Sequence, residues 1–144
     1  MNVRYRAASV ADAGVIAPMN AQLIRDEGHR NAMTVPQLVE RMTDWLKGDY
    51  QAHLFDLESK AVGYALYRIE PEYIYLRQLF VEPALRRRGI GRDALEWLRL
   101  NVWRGRPRIR IDVLVGNHSG IEFWRSVGFT DYCMTMERPV SCAR

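Results

Sequence analysis

The hydrophobic period changes at Pro83, and that change restricts the possible folds more than any other feature of this 144-residue chain. Before it come three strand-like runs, residues 51–57, 62–69 and 73–81, joined by Glu58-Ser59-Lys60 and by Glu70-Pro71-Glu72. Connections this short return each strand beside its predecessor, so an antiparallel meander is expected. After it, Ile90, Ala94, Leu95, Leu98 and Val102 recur at spacings of three and four. That is the period of an amphipathic helix, here expected from residue 89 to about 103, with Gly105 and Pro107 to stop it.

The flanks extend the alternation. Residues 3–7 read as a strand, and Ser9 or Asp12 caps a helix that runs towards Asp26 and breaks at Gly28. Thr34, Pro36 and Gln37 have the spacing of a capping box with proline in the first turn. They open a second helix whose Leu38, Met42, Trp45 and Leu46 share one face, ended by Gly48. Downstream, residues 109–115 read as a strand, 119–127 as a short helix ended by Gly128, and 129–137 as a last strand. The expected order is βααβββαβαβ, an α/β chain of the α+β kind on one mixed sheet. Residues 1–144 form one domain, because this length supports one core and not two.

A chain that is 48% hydrophobic and 26% charged falls outside the disordered and disulfide-rich classes. No apolar run approaches the roughly 20 residues of a membrane span. The first residues lack an apolar stretch with a cleavage site, so a cytoplasmic location is expected. Cys133 and Cys142 form no C-x-x-C pair and have no His at ligand spacing, so no metal is expected. Cys133 sits in an alternating stretch and is expected to be buried, Cys142 in a polar tail and exposed.

The net charge of +4 is uneven: residues 1–80 carry nine basic and ten acidic groups, residues 81–144 twelve and seven. Three of the twelve are Arg86-Arg87-Arg88, directly before Gly89-Ile90-Gly91 and Arg92. A helix start presents N–H groups without intrahelical partners and a partial positive charge, and glycines there let a phosphate approach closely. The arginines add full charge, which suits a diphosphate. Residues 89–94 also fit the G-x-G-x-x-A of dinucleotide-binding folds, with Asp112 near the place of the ribose-binding acid. Seven residues separate Val81 from Gly89, however, where that fold places its glycines almost directly after the strand.

The segment Leu79-Phe80-Val81-Glu82-Pro83-Ala84-Leu85-Arg86-Arg87-Arg88-Gly89-Ile90-Gly91 closely resembles motif A of the GNAT superfamily, the acetyl-coenzyme A dependent N-acetyltransferases. That family's (Gln/Arg)-x-x-Gly-x-(Gly/Ala) falls on Arg86, Gly89 and Gly91. Asn117-x-x-Gly120-x-x-Phe123-Trp124-x-x-x-Gly128-Phe129 is similar to the family's motif B, and the element order is also the family's. The resemblance implies the GNAT fold, acetyl-CoA as co-substrate and direct transfer to an amine. It implies a bulge that splays the 73–81 strand from the 109–115 strand, with the pantetheine arm in the opening. Leu79, Phe80 and Val81 would then pair with that arm, Arg87 to Arg92, Ile90 included, would wrap the diphosphate, and Asn117 would reach the cofactor. A second role is open to Asn117, capping the helix that follows it.

The chain departs from the family at Trp124, where many members carry a tyrosine that protonates the leaving thiolate. An indole N–H is a donor only, so Trp124 packs in the core or against pantetheine. Deprotonation of the acceptor then needs a base. Asp112 matches the position of a catalytic Glu in some members; its alternative is a strand Asp paired with Arg110 or Arg77. Glu27, with Asp26 and His29, forms an acidic turn in the region that builds the family's acceptor pocket, or a plain exposed turn. Tyr73, Tyr75 and Arg77, two apart on one strand face, are expected to line the same pocket, unless the tyrosines form a cross-strand ladder.

The acceptor is expected to be a small-molecule or protein amine, with a small cationic amine favoured by Asp26 and Glu27. A homodimer is compatible with the family. Nucleic acid is not expected, because no aromatics interleave with the positive charge. The competing reading is a GNAT-like module that binds acyl-CoA or a partner without turnover.

Overall fold

The structure, a computed structural model, describes residues 2–141. Five strands, β1 (Val3–Ala7), β2 (Tyr50–Leu57), β3 (Lys60–Ile69), β4 (Tyr73–Val81) and β5 (Arg108–Arg110), form one sheet in the order β1-β2-β3-β4-β5. The first four are antiparallel and β5 joins β4 in parallel. Four helices accompany them: α1 (Ala13–Glu27), α2 (Val35–Lys47), α3 (Ile90–Asn101) and α4 (His118–Ser126).

Local chemistry sets the helix ends. Ser9 caps a single 3-10 turn that leads into α1, its backbone N–H donating to Asp12 Oδ2 at 2.8 Å, and Gly28 closes α1 in a left-handed conformation. The Thr34 and Gln37 side chains satisfy each other's backbone N–H groups at the start of α2, at 3.3 and 2.8 Å. Such a box stabilises a helix start by about 1 kcal/mol.

Alternation along the strands loads both faces of the sheet. Tyr64 and Leu66 of β3 pack with Leu23 and Met42 under α1 and α2. Ala65 and Tyr67 face Ile90, Ala94, Leu95 and Leu98 of α3 on the other side. All three layers therefore meet at β3 and β4, which places β4 between two helical faces.

Two expectations fail at the C-terminal end. The 109–115 strand forms a ladder only at Arg108–Arg110, opposite Tyr73–Tyr75, because β4 leaves that neighbour after Tyr75 and gives residues 111–115 nothing to pair with. The last strand, 129–137, forms no ladder, so the order among the described residues is βααβββαβα. Its contact with β5 is through side chains, with the Arg110 guanidinium over the Tyr73 and Tyr132 rings at 4.1 and 4.8 Å. Tyr132, Met134 and Met136 of this stretch are exposed, and so is Cys133, contrary to the burial that its alternation suggested. Cys142 lies outside the described residues.

Candidate active site

The site is built around a defect in β4. Leu66 of β3 faces Gln78, but the next residue, Tyr67, faces Leu76, so Arg77 is the extra residue of a β-bulge. Pairing with β5 stops two residues earlier, at Tyr75. From Leu76 to Val81 the β5 side of β4 therefore carries backbone groups with no strand beside them, the opening that the motif resemblance implied. Gly63 holds the far end in place: a Cβ there would overlap the Phe80 carbonyl oxygen, so only glycine lets β3 and β4 approach this closely. The sequence reading passed over Gly63, although a glycine inside an apolar strand was the available signal.

The chain leaves β4 through one 3-10 turn, Pro83–Leu85, and enters α3 at Gly89. Gly89 has a φ of 81°, and Arg87 a φ of 64°, a region that L side chains enter only with strain. The turn thus aims successive main-chain groups at the mouth of the β4 opening, where α3 begins with free N–H groups. Gly91 is confined as well, since a Cβ would sit 3.2 Å from Phe123 Cζ of α4. These features fit a diphosphate next to an extended amide-bearing arm.

The arginines divide their work. Arg86 turns inward, donating from Nε to the Val81 carbonyl at 2.7 Å and from its terminal nitrogen to Asp26 at 2.6 Å, with its guanidinium over the Phe80 ring. It ties the turn between β4 and α3 to the end of α1. Arg88 lines a different cavity, with Arg4, Asp56 and Leu85. Arg92 donates to the Ser126 carbonyl at 3.3 Å.

On α4, Asn117 Oδ1 accepts from the Gly120 N–H at 3.1 Å, so the capping role is present. Gly120 is required for it, because a Cβ would overlap the Asn117 amide. Trp124 packs edge-on between Phe123 and Phe129, at centroid distances of 5.0 and 5.2 Å.

The candidate bases lie in separate places. Glu27 is half-buried at the end of α1, within 3.1 Å of His29. Burial pushes its carboxyl above the ordinary range, against the pull of His29. Asp112 is exposed just beyond β5 and accepts from the Tyr75 hydroxyl at 2.7 Å, so its partner is neither of the two arginines considered. Burial, reinforced by this bond, raises Tyr75 to about 12.

The Acetyltransferase (GNAT) family model matches residues 22–129, which spans both glycine-bearing motifs. The chain belongs to the GNAT acetyltransferase family. No curated protein matches it in sequence. Solved structures do match in fold. A possible acetyltransferase from Clostridium difficile 630 superposes with a TM-score of 0.80 at 17% identity, over 97% of this chain and 99% of that one. The aminoglycoside N-acetyltransferase AAC(6')-Iy in complex with CoA gives 0.78 at 14%, over 98% and 96%. The ribosomal-protein-alanine N-acetyltransferase from Brucella melitensis biovar Abortus 2308 gives 0.75 at 16%, over 95% and 99%. At such identities the likeness establishes the fold and leaves the acceptor open. No described helix is long and apolar enough to cross a membrane, and among the described residues no cluster of three or more His, Cys, Asp or Glu could hold a metal ion.

Proposed function

We propose that this GNAT domain transfers the acetyl group of acetyl-CoA directly to a primary amine. The observation that carries this reading is the unpaired edge of β4 beyond the Arg77 bulge, ending at the left-handed Gly89 and the start of α3. Leu79, Phe80 and Val81 offer main-chain partners to the pantetheine amides, and the 87–92 turn offers N–H groups and charge to the diphosphate.

A lysine-like amine, with a pKa of about 10.4, is neutral in only a few parts in ten thousand at pH 7. Glu27 takes its proton, since burial gives this carboxylate more basicity than an exposed one has. The amine nitrogen forms a bond to the thioester carbonyl carbon, the carbon–sulfur bond breaks, the sulfur departs as a thiolate, and the second proton that the nitrogen sheds on becoming an amide passes through water to that thiolate. A thiol with a pKa of about 8.5 leaves without a dedicated acid, in keeping with Trp124 packed between two phenylalanines. Asp112 acts at one remove, holding the Tyr75 hydroxyl at the β5 side of the opening. Arg86 already pairs with Asp26 and His29 with Glu27, so the support these carboxylates lend to a small cationic amine is weaker than the sequence suggested.

The test is thermal melting with acetyl-CoA, followed by thiol release over a panel of amines. A ligand at about a hundred times its Kd adds about 2.7 kcal/mol, which raises Tm by several degrees in a domain of this size. An unchanged melting curve at millimolar acetyl-CoA would remove the proposal. A shift without thiol release on any amine would instead favour the non-catalytic module.

A further inference from the structure

Six residues scattered between positions 20 and 77 meet on the α1/α2 side of the sheet: Asn20 of α1, Arg41 and Trp45 of α2, Tyr50 of β2, Arg68 of β3 and Arg77 of β4. The Arg41 and Arg77 guanidinium carbons lie 4.3 and 4.6 Å from the centroid of the same Trp45 ring. The Tyr50 hydroxyl accepts from Arg68 at 3.1 Å and from Arg77 at 3.2 Å. Arg68 has a counter-ion in Glu70. Among the described residues, Arg41 and Arg77 form no ion pair with any carboxylate.

Three guanidiniums gathered on aromatic rings repel one another unless an anion joins them. A second, independent observation lies beneath them. Asn20 is fully buried, and while its Oδ1 accepts from Arg41 at 3.1 Å, its Nδ2 has no partner; Arg41 Nε is buried without one too. Buried N–H donors are nearly always satisfied, so two together beside two unneutralised cations mark the place of an oxyanion. Planar guanidinium and amide groups present pairs of N–H bonds that match the two oxygens of a carboxylate.

The place in the fold says what carries that carboxylate. Arg77 is the bulge residue, two positions past the point where β4 parts from β5, and it is exposed. The buried Tyr64 hydroxyl lies within electrostatic reach of both Arg41 and Glu27, and burial is the main cause of its raised pKa. The proposed base and the two arginines thus lie on the same α1/α2 side of the sheet. We propose that Arg41, Arg77 and Asn20 bind the carboxylate of the acceptor, and that the acceptor is an amine bearing its own carboxylate, an amino acid or a short peptide. This rests on the acetyl-transfer reading for the identity of the ligand, though not for the existence of the anion site.

Calorimetric titration of the coenzyme A-saturated protein tests it, with alanine, lysine and alanylalanine each supplied as the free acid and as the C-terminal amide. The free acid of at least one pair should bind about tenfold or more tightly than its amide, the effect expected of charge-assisted hydrogen bonds. Arg77→Gln, at an exposed position, should reduce that preference to near unity. Asn20→Asp, which keeps the shape and gives Arg41 a carboxylate of its own, should do the same. Arg99→Gln, an exposed arginine on α3 paired with Glu96, should leave the preference intact. Equal binding of acid and amide, retention of the preference in both Arg77→Gln and Asn20→Asp, no binding of any free acid, or equally tight binding of phosphoethanolamine would each overturn the proposal. A protein that binds no coenzyme A yet keeps the preference would overturn acetyl transfer and leave the anion site standing.

Discussion

The sites proposed on the two sides of β4 are made of different materials. On the side facing β5, the site is main chain: an unpaired strand edge, the N–H groups that open α3, and a left-handed Gly89. On the side facing α1 and α2 it is side chain: Glu27, His29, Tyr64, Arg41 and Arg77, each brought by a different element or turn. Arg86 crosses between them, bonded to Val81 on one side and Asp26 on the other. A main-chain site depends on backbone conformation and tolerates most side-chain changes, whereas a side-chain site can lose its chemistry through one substitution.

Glu27→Gln should have the largest effect, lowering kcat about 10²- to 10⁴-fold, the usual worth of a positioned base. In the proposed role Glu27 works as the carboxylate, and burial raises its pKa, so wild-type activity should climb with pH through a value above the ordinary carboxylate range. In Glu27→Gln that limb should move up towards the pKa of the amine. An unmoved pH–rate profile would take the base role from Glu27.

Gly89→Glu comes next. It puts a side chain into a φ of 81° and a negative charge at the start of α3, which should weaken acetyl-CoA by about a hundredfold. Arg88→Ala, whose side chain lines another cavity, should cost less than about tenfold in the same titration, since a main-chain cradle survives it. If the arginine mattered more than the glycine, the contrast between the two sides would be lost.

Asp112→Asn and Tyr75→Phe should each reduce kcat by about tenfold at most, the worth of one hydrogen bond that acts through a neighbour. A base role for Asp112 itself predicts a drop for Asp112→Asn as deep as that of Glu27→Gln. Smallest is Thr34→Ala, which removes the cap of α2 and should lower stability by about 1 kcal/mol, or Tm by about 2–4 °C, with acetyl-CoA affinity unaltered.

The strand, turn and helix start proposed to hold the cofactor were legible as elements because their parts are contiguous. An apolar run, a basic turn and two glycines within thirteen residues specify a strand, a turn and a helix start without reference to the rest of the molecule. The same holds for the Thr34 box, where the partners are three residues apart. Residues 129–137 had the period of a strand and form no ladder, since alternation states which residues share a face and says nothing about whether an edge is available. Cys133 was misjudged for the same reason. Asp112 was identified as a candidate, but its bond to Tyr75 spans 37 positions and no local pattern encodes it.

The amino-acid sequence by itself determined the helices, the β2-β3-β4 meander and the glycine turn into α3, because periodicity, capping and glycine conformation act over a few residues. Tertiary structure alone decided where β4 bulges, that Arg86 would be spent on Asp26, and that Asn20, Arg41 and Arg77 would gather around Trp45. Those outcomes depend on distances between residues far apart in the chain, and such distances exist only once the helices have docked on the sheet.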